Sequence, residues 1–132
     1  MKYLGIDHGG KRIGLAIGDD ETRVASPLEV VEADSNEEAV AAIGLIIKEE
    51  GIDKIILGLP LSLKGEEGAQ AARVREFGNG LSKLSKIDVI YEDERLSSKM
   101  ADALLKEALP EKRDAVAAMV ILQSYLDKLR KV

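Results

Sequence analysis

The chain has no cysteine and a single histidine, His8. Without thiols there can be no disulfide and no thiolate metal site, so any bound metal would have to sit among carboxylates or on His8, which favours hard cations. Aromatic residues are equally sparse: Tyr3, Phe77, Tyr91 and Tyr125 make up 3% of the chain. Proteins that read single strands offer stacking platforms, so this composition fits recognition of backbone shape better than recognition of bases. No apolar run approaches the roughly 20 residues of a membrane span, and Met1-Lys2 leads into a strand-like segment with no signal-peptide pattern. The expectation is a cytoplasmic protein with no membrane partner.

What is present suffices for one domain over residues 1–132, since 45% of the residues are apolar and 33% charged. The net charge of −5 is unevenly spread. Residues 19–53 hold 11 acidic and 2 basic side chains, which leaves a balance of +4 elsewhere. A molecule polarised in this way can hold a phosphate backbone, weakly and with strong salt dependence.

In Tyr3 to Gly18, alternating residues around Leu4 and Ile6 end at Asp7, a turn follows at His8-Gly9-Gly10-Lys11, and Ile13 to Ile17 continues the pattern as a hairpin. A third strand over about 23–31 contains Pro27, which marks a sheet edge. Ser35-Asn36-Glu37-Glu38 reads as a capping box for a helix with Ala39, Val40, Ile43, Ile46 and Ile47 inward, stopped by Gly51. Lys54 to Gly58 is a short apolar run suited to a central strand. A loop at Ser62-Leu63-Lys64-Gly65 leads to a second helix over about 66–80, with Ala69, Ala72, Arg73, Val74, Phe77 and Leu81 inward and Gly78-Asn79-Gly80 fraying its end. Ile87 to Tyr91 is a fifth strand, followed by Glu92-Asp93-Glu94-Arg95. Ser97 or Ser98 can cap a third helix that turns Met100, Leu104 and Leu105 inward and stops at Pro110. The last helix, about 114–130, carries the stripe Ala115, Ala118, Met119, Leu122, Leu126 and Leu129.

Three antiparallel strands followed by helix, strand, helix, strand, helix and helix is the arrangement of an α/β ribonuclease H-like fold. The expected architecture is a five-stranded mixed sheet, order 3-2-1-4-5, flanked by helices. Ligands gather at the carboxyl ends of parallel strands in such sheets, where Asp7 and Glu92 to Glu94 lie. Leu4-Gly5-Ile6-Asp7-x-Gly9-x-Lys11-Arg12-Ile13-Gly14-Leu15-Ala16 resembles the opening motif of the YqgF/RuvX family, relatives of Holliday-junction resolvases also implicated in maturation of pre-16S ribosomal RNA. Gly58-Leu59-Pro60-Leu61 with Gly65 and Gly68, Asp93 to Ser98, and Asp114 with Ile121 to Leu126 resemble the family's remaining motifs in order.

Phosphodiester hydrolysis needs an activated water and positive charge against the phosphate, which two divalent ions held by converging carboxylates supply. Asp7, Glu94 and Asp114 are the chosen catalytic and metal-binding set, and the resemblance implies the same three; Asp93 is a neighbouring candidate ligand. Mg²⁺ or Mn²⁺ suits an oxygen-only site. Each acid also has a plainer reading, Asp7 as a turn residue, Glu94 as compensation for a helix dipole and Asp114 as an N-cap. Lys11, Arg12, Lys64 and Arg95 are candidate nucleic-acid contacts, Arg95 equally a structural ion-pair partner. The Gly65 to Gly68 loop could present N–H groups to phosphate or be a plain loop. His8, in a glycine-rich turn, is expected to be an incidental exposed side chain. The resolvase relatives place an acid at the end of strand four, where this chain has Gly58-Leu59-Pro60.

The expected activity is metal-dependent endonucleolytic cleavage of structured nucleic acid, with the 5′ end of pre-16S rRNA ahead of a four-way DNA junction. Alternatives are a non-catalytic RNA-binding or ribosome-assembly factor and an ATP-binding protein of the actin and sugar-kinase type. A junction substrate would call for a homodimer.

Overall fold

The computed structural model describes residues 1–94 and 99–129, with the side chains of 99–101 excepted. The strands are β1 (Lys2–Gly9), β2 (Arg12–Asp19), β3 (Ala25–Glu32), β4 (Lys54–Leu59) and β5 (Val89–Asp93). The helices are α1 (Asn36–Glu50), α2 (Ala69–Ser85), α3 (Lys99–Glu107) and α4 (Arg113–Lys128), the last preceded by a 3₁₀ turn at Pro110–Lys112. The sheet order is β3-β2-β1-β4-β5, as expected from the sequence. β1 pairs antiparallel with β2, while β1–β4 and β4–β5 are parallel. Pro27 lies in the outermost strand β3, facing Ala16 next to a break in register, so its missing N–H costs no interior bond.

Residue alternation sorts β1 and β2 cleanly between two faces. Leu4, Ile6, Ile13 and Leu15 join Ala39, Ile43 and Ile47 of α1 and Val74, Phe77 and Leu81 of α2 in one buried cluster. On the other face Tyr3, Ala16 and Ile56 meet Ala118, Ile121, Leu122 and Leu126 of α4. The sheet side of this second contact is nearly bare. A Cβ on Gly5 would fall 2.6 Å from the Leu122 Cβ, and one on Gly14 would collide with the Asp114 carbonyl. Helix α4 therefore sits close to the strands, and its N-terminal turn comes down over the ends of β1 and β2.

Local chemistry sets the helix boundaries. Ser35 Oγ accepts from Glu38 N at 3.1 Å, and Gly51 closes α1 at φ 65°. The reciprocal half of the capping box is shifted by one residue, because Glu38 accepts from Asp34 N rather than from the cap itself. Three expectations are corrected. First, α2 runs through Gly78-Asn79-Gly80 to Ser85. These glycines are packing positions: a Cβ on Gly78 would strike the Tyr91 hydroxyl, and one on Gly80 would lie 3.3 Å from Val40. Second, the buried side of α2 is Ala71, Val74, Phe77, Gly78 and Leu81, whereas Ala69, Ala72 and Arg73 are exposed. Third, Leu104 of α3 is 44% exposed, and Leu105 is the half-buried one. Ser97 and Ser98, the expected caps of α3, and Arg130, the expected end of α4, lie outside the described residues. Among the described residues no helix is long and apolar enough to cross a membrane.

Candidate active site

Asp7 is the last residue but two of the central strand β1 and falls on the α4 face, in the same alternation as Tyr3 and Gly5. Glu94 follows β5 directly and reaches the same place. Its side chain crosses the end of β4 over Gly58, where a Cβ would sit 2.5 Å from Glu94 Oε1 and 2.6 Å from Ile121 Cδ1. The missing strand-four acid thus has a structural counterpart. The position that could have carried a side chain is emptied, and the carboxylate of the next strand fills the space.

The carboxyl groups of Asp7 and Glu94 share a hydrogen bond, with Glu94 donating and Asp7 accepting. Burial, the Asp7 charge and that hydrogen bond push the Glu94 carboxyl up to about 7, with Asp93 adding to the push. Asp7 is also raised, first by burial and then by the charge of Asp114, while the bond from Glu94 opposes this. Two acids held together out of water cannot both ionise readily, so one proton belongs to the pair.

Asp114 lies in the first turn of α4 but does not cap it, since no side chain caps that helix. Instead Asp114 Oδ2 accepts from Arg12 Nε at 2.8 Å, and Oδ1 lies over Gly9, 3.8 Å from where a Cβ would be. Arg12 also donates to Glu32 Oε1 at 2.8 Å and to the Glu111 carbonyl at 3.2 Å. Asp93 follows the alternation of Tyr91, which packs on the α2 side, and so points away from the α4 face that holds Asp7. Glu92, 4% exposed, is on the α4 face with both oxygens engaged, by Ser124 Oγ and Lys128 Nζ at 2.8 Å each; it anchors α4 to β5.

His8 is corrected outright. It is 7% exposed, lies on the face opposite Asp7 with its ring 4.8 Å from that of Phe77, and meets Asn36 Oδ1 through Nε2 at 3.0 Å. The Gly10 N–H donates to Nδ1 at 3.4 Å, which leaves the ring proton on Nε2 for Asn36. Lys11 and Lys64 are exposed in the segments after β1 and β4, at the carboxyl edge of the parallel strands. Arg95 lies outside the described residues. The Gly65 loop is ordered by backbone bonds Ser62 N to Glu66 O and Gly65 N to Ser62 O, with Gly65 at φ 82°.

The model of the family described as "RuvX: Holliday junction resolvase" matches residues 1–128. The chain belongs to the RuvX family. A relative from Chloroflexus aggregans, named "Putative pre-16S rRNA nuclease", is 41% identical over 96% of this chain and 94% of its own length. Among solved structures, Thermus thermophilus RuvC superposes with a TM-score of 0.64 at 16% identity, covering 97% of this chain and 95% of that one. The fowlpox virus resolvase bound to Holliday junction DNA gives 0.65 at 15%, covering 99% and 100%. At these identities the two structures establish the shared ribonuclease H-like fold.

The sequence singles out Asp7 and Glu94, which the fold brings together, but not Gly58, whose role depends on a side chain 36 positions later. It also missed the Arg12–Asp114 pairing, which spans 102 positions and leaves no local pattern.

Proposed function

We propose that the chain is a divalent-metal-dependent endonuclease that cuts structured RNA, with the 5′ end of pre-16S rRNA as substrate and the cytoplasm as its location. The observation that carries this is the meeting of Asp7 and Glu94 at the carboxyl edge of the parallel strands, sharing one proton over Gly58. Membership of a family whose relatives are named for pre-16S rRNA cleavage supports the substrate.

Among the described residues, no three His, Cys, Asp or Glu side chains are gathered as a ready metal cage. The donors nevertheless fit a hard divalent cation. Two partly buried carboxyl groups that retain a proton in the absence of other positive charge can release it when a cation takes its place. Asp7 and Glu94 would hold Mg²⁺ or Mn²⁺, with Asp114 as third ligand. When bound, the metal supplies a water of lowered pKa and neutralises charge on the scissile phosphate. The chain does the rest: α4 shields one side of the acid pair from solvent, Glu94 yields its proton on loading, and Lys11 and Lys64 hold flanking phosphates at the rim.

Purified protein is assayed with Mn²⁺ on a pre-16S leader RNA and on a four-way DNA junction, beside Asp7→Asn. Cleavage of the leader that is lost in Asp7→Asn supports the proposal. Junction cleavage alone would move the substrate to branched DNA and call for a homodimer, because two symmetric cuts need two sites. Absence of cleavage on either substrate, with no effect of Asp7→Asn, would overturn the enzymatic reading. The pairing of Asp114 with Arg12 favours one second reading, an RNA-binding assembly factor that has kept the fold without an assembled metal site.

A further inference from the structure

Arg12 stands at the start of β2 with each guanidinium nitrogen committed: Nε to Asp114 Oδ2, Nη1 to Glu32 Oε1 and Nη2 to the Glu111 carbonyl. These partners come from α4, from the edge strand β3, where Glu32 is the register partner of Arg12, and from the 3₁₀ turn. A phosphate would have to displace a carboxylate from this fork. It would also approach a cation already flanked by two anions, so the local charge repels it. The arrangement instead orders Asp114. With Oδ2 tied to Nε, Oδ1 lies over Gly9, two residues along β1 from Asp7 and on the same face. Asp7 feels the Asp114 charge at this position.

Resting on the metal-nuclease reading above, we propose that Arg12 is a positioning residue for Asp114 and not a phosphate ligand: it fixes one carboxylate oxygen so that the other is presented toward Asp7 and Glu94. Groups that orient metal ligands from behind affect metal affinity directly. Lysine has the charge but not the planar fork that reaches three elements at once.

The test uses the full chain and its Arg12→Ala and Arg12→Lys variants, with folding checked by urea midpoints. Mn²⁺ affinity is measured by titration calorimetry without nucleic acid, and binding of a labelled RNA hairpin is measured in chelator over a salt series. The expected result is Mn²⁺ affinity weakened roughly 10- to 100-fold in both variants. kcat falls with little change in KM, and the salt slope of RNA binding stays as in the parent. A slope reduced by about 0.7–0.9, as for loss of one phosphate contact, with unchanged Mn²⁺ affinity would overturn the proposal. Full Mn²⁺ affinity in Arg12→Lys would overturn the role of the fork. Should Arg12→Ala fail to fold, Glu32→Gln removes one anchor of the fork; a several-fold weaker Mn²⁺ affinity supports the proposal and an unchanged one overturns it. A parent chain that binds no Mn²⁺ overturns the metal reading together with this one, whereas parent and variants binding equally well overturn the positioning role alone.

Discussion

The shared proton of Asp7 and Glu94 makes the metal-free protein sensitive to pH in a direction opposite to most carboxylates. Glu94 titrates near 4.5 in the unfolded chain and is pushed up to about 7 in the folded one, so the folded state holds its proton more tightly. The stabilisation from this proton is fully present below about 4.5, declines as pH rises toward about 7, and is gone above that. At ~1.4 kcal/mol per pH unit the interval corresponds to ~3 kcal/mol, and because Glu94 is only half-buried, solvent screening reduces this to ~1–2 kcal/mol. Glu94→Gln removes the titration while keeping a donor for Asp7. In chelator, urea midpoints of parent and variant should coincide near pH 4.5. At pH 8 the variant should be the more stable by ~1–2 kcal/mol, or roughly 5 °C in Tm. Carboxylates away from the pair titrate in both proteins and cancel in the difference, and Asp7, freed of the Glu94 charge, ionises more readily in the variant. Saturating Mn²⁺ should reverse the order, since only the parent keeps both ligands. Midpoints that run parallel from pH 4.5 to 8 would refute the coupling.

Gly58→Ala places a methyl against Glu94 Oε1 and Ile121 Cδ1. It should cost ~1–3 kcal/mol in urea melts and lower cleavage at least 10-fold by displacing Glu94. Gly14→Ala meets backbone rather than a movable side chain, at the Asp114 carbonyl, and should lose ~3 kcal/mol or more by the same measurement. His8→Ala should lower Tm, because it uncovers Phe77 and Asn36, yet reduce kcat less than 10-fold; a loss equal to that of Asp7→Asn would show that the opposite face takes part in the chemistry.

The sheet order was legible because its cues are local: alternation in β1 and β2, Pro27 at the border, and a capping box before α1. The acids were legible for a related reason, since each ends or begins an element whose boundary can be read. What escaped were properties that exist only between distant segments. Gly78 and Gly80 look like helix breakers until Tyr91 and Val40 are placed against them, when close packing outweighs their low propensity. His8 looks exposed because its neighbours are glycines, but the even positions of β1 face α1 and α2, and the histidine simply continues the row of Leu4 and Ile6. Arg12 reads as a free cation until three acceptors arrive from elsewhere in the chain.

The two members of the acid pair are rooted very differently. Asp7 belongs to β1, which has strands on both sides, whereas Glu94 follows β5, a border strand of five residues with β4 as its one neighbour in the sheet. Amide exchange from β1 should therefore require global opening, while β5 can detach in a smaller fluctuation that carries Glu94 away and leaves the rest of the sheet intact. A ligand bridging both acids would be bound across this seam, so its arrival would slow exchange in β5 far more than in β1. The site is thus completed at the least secure margin of the fold, and its occupant is what fastens that margin down.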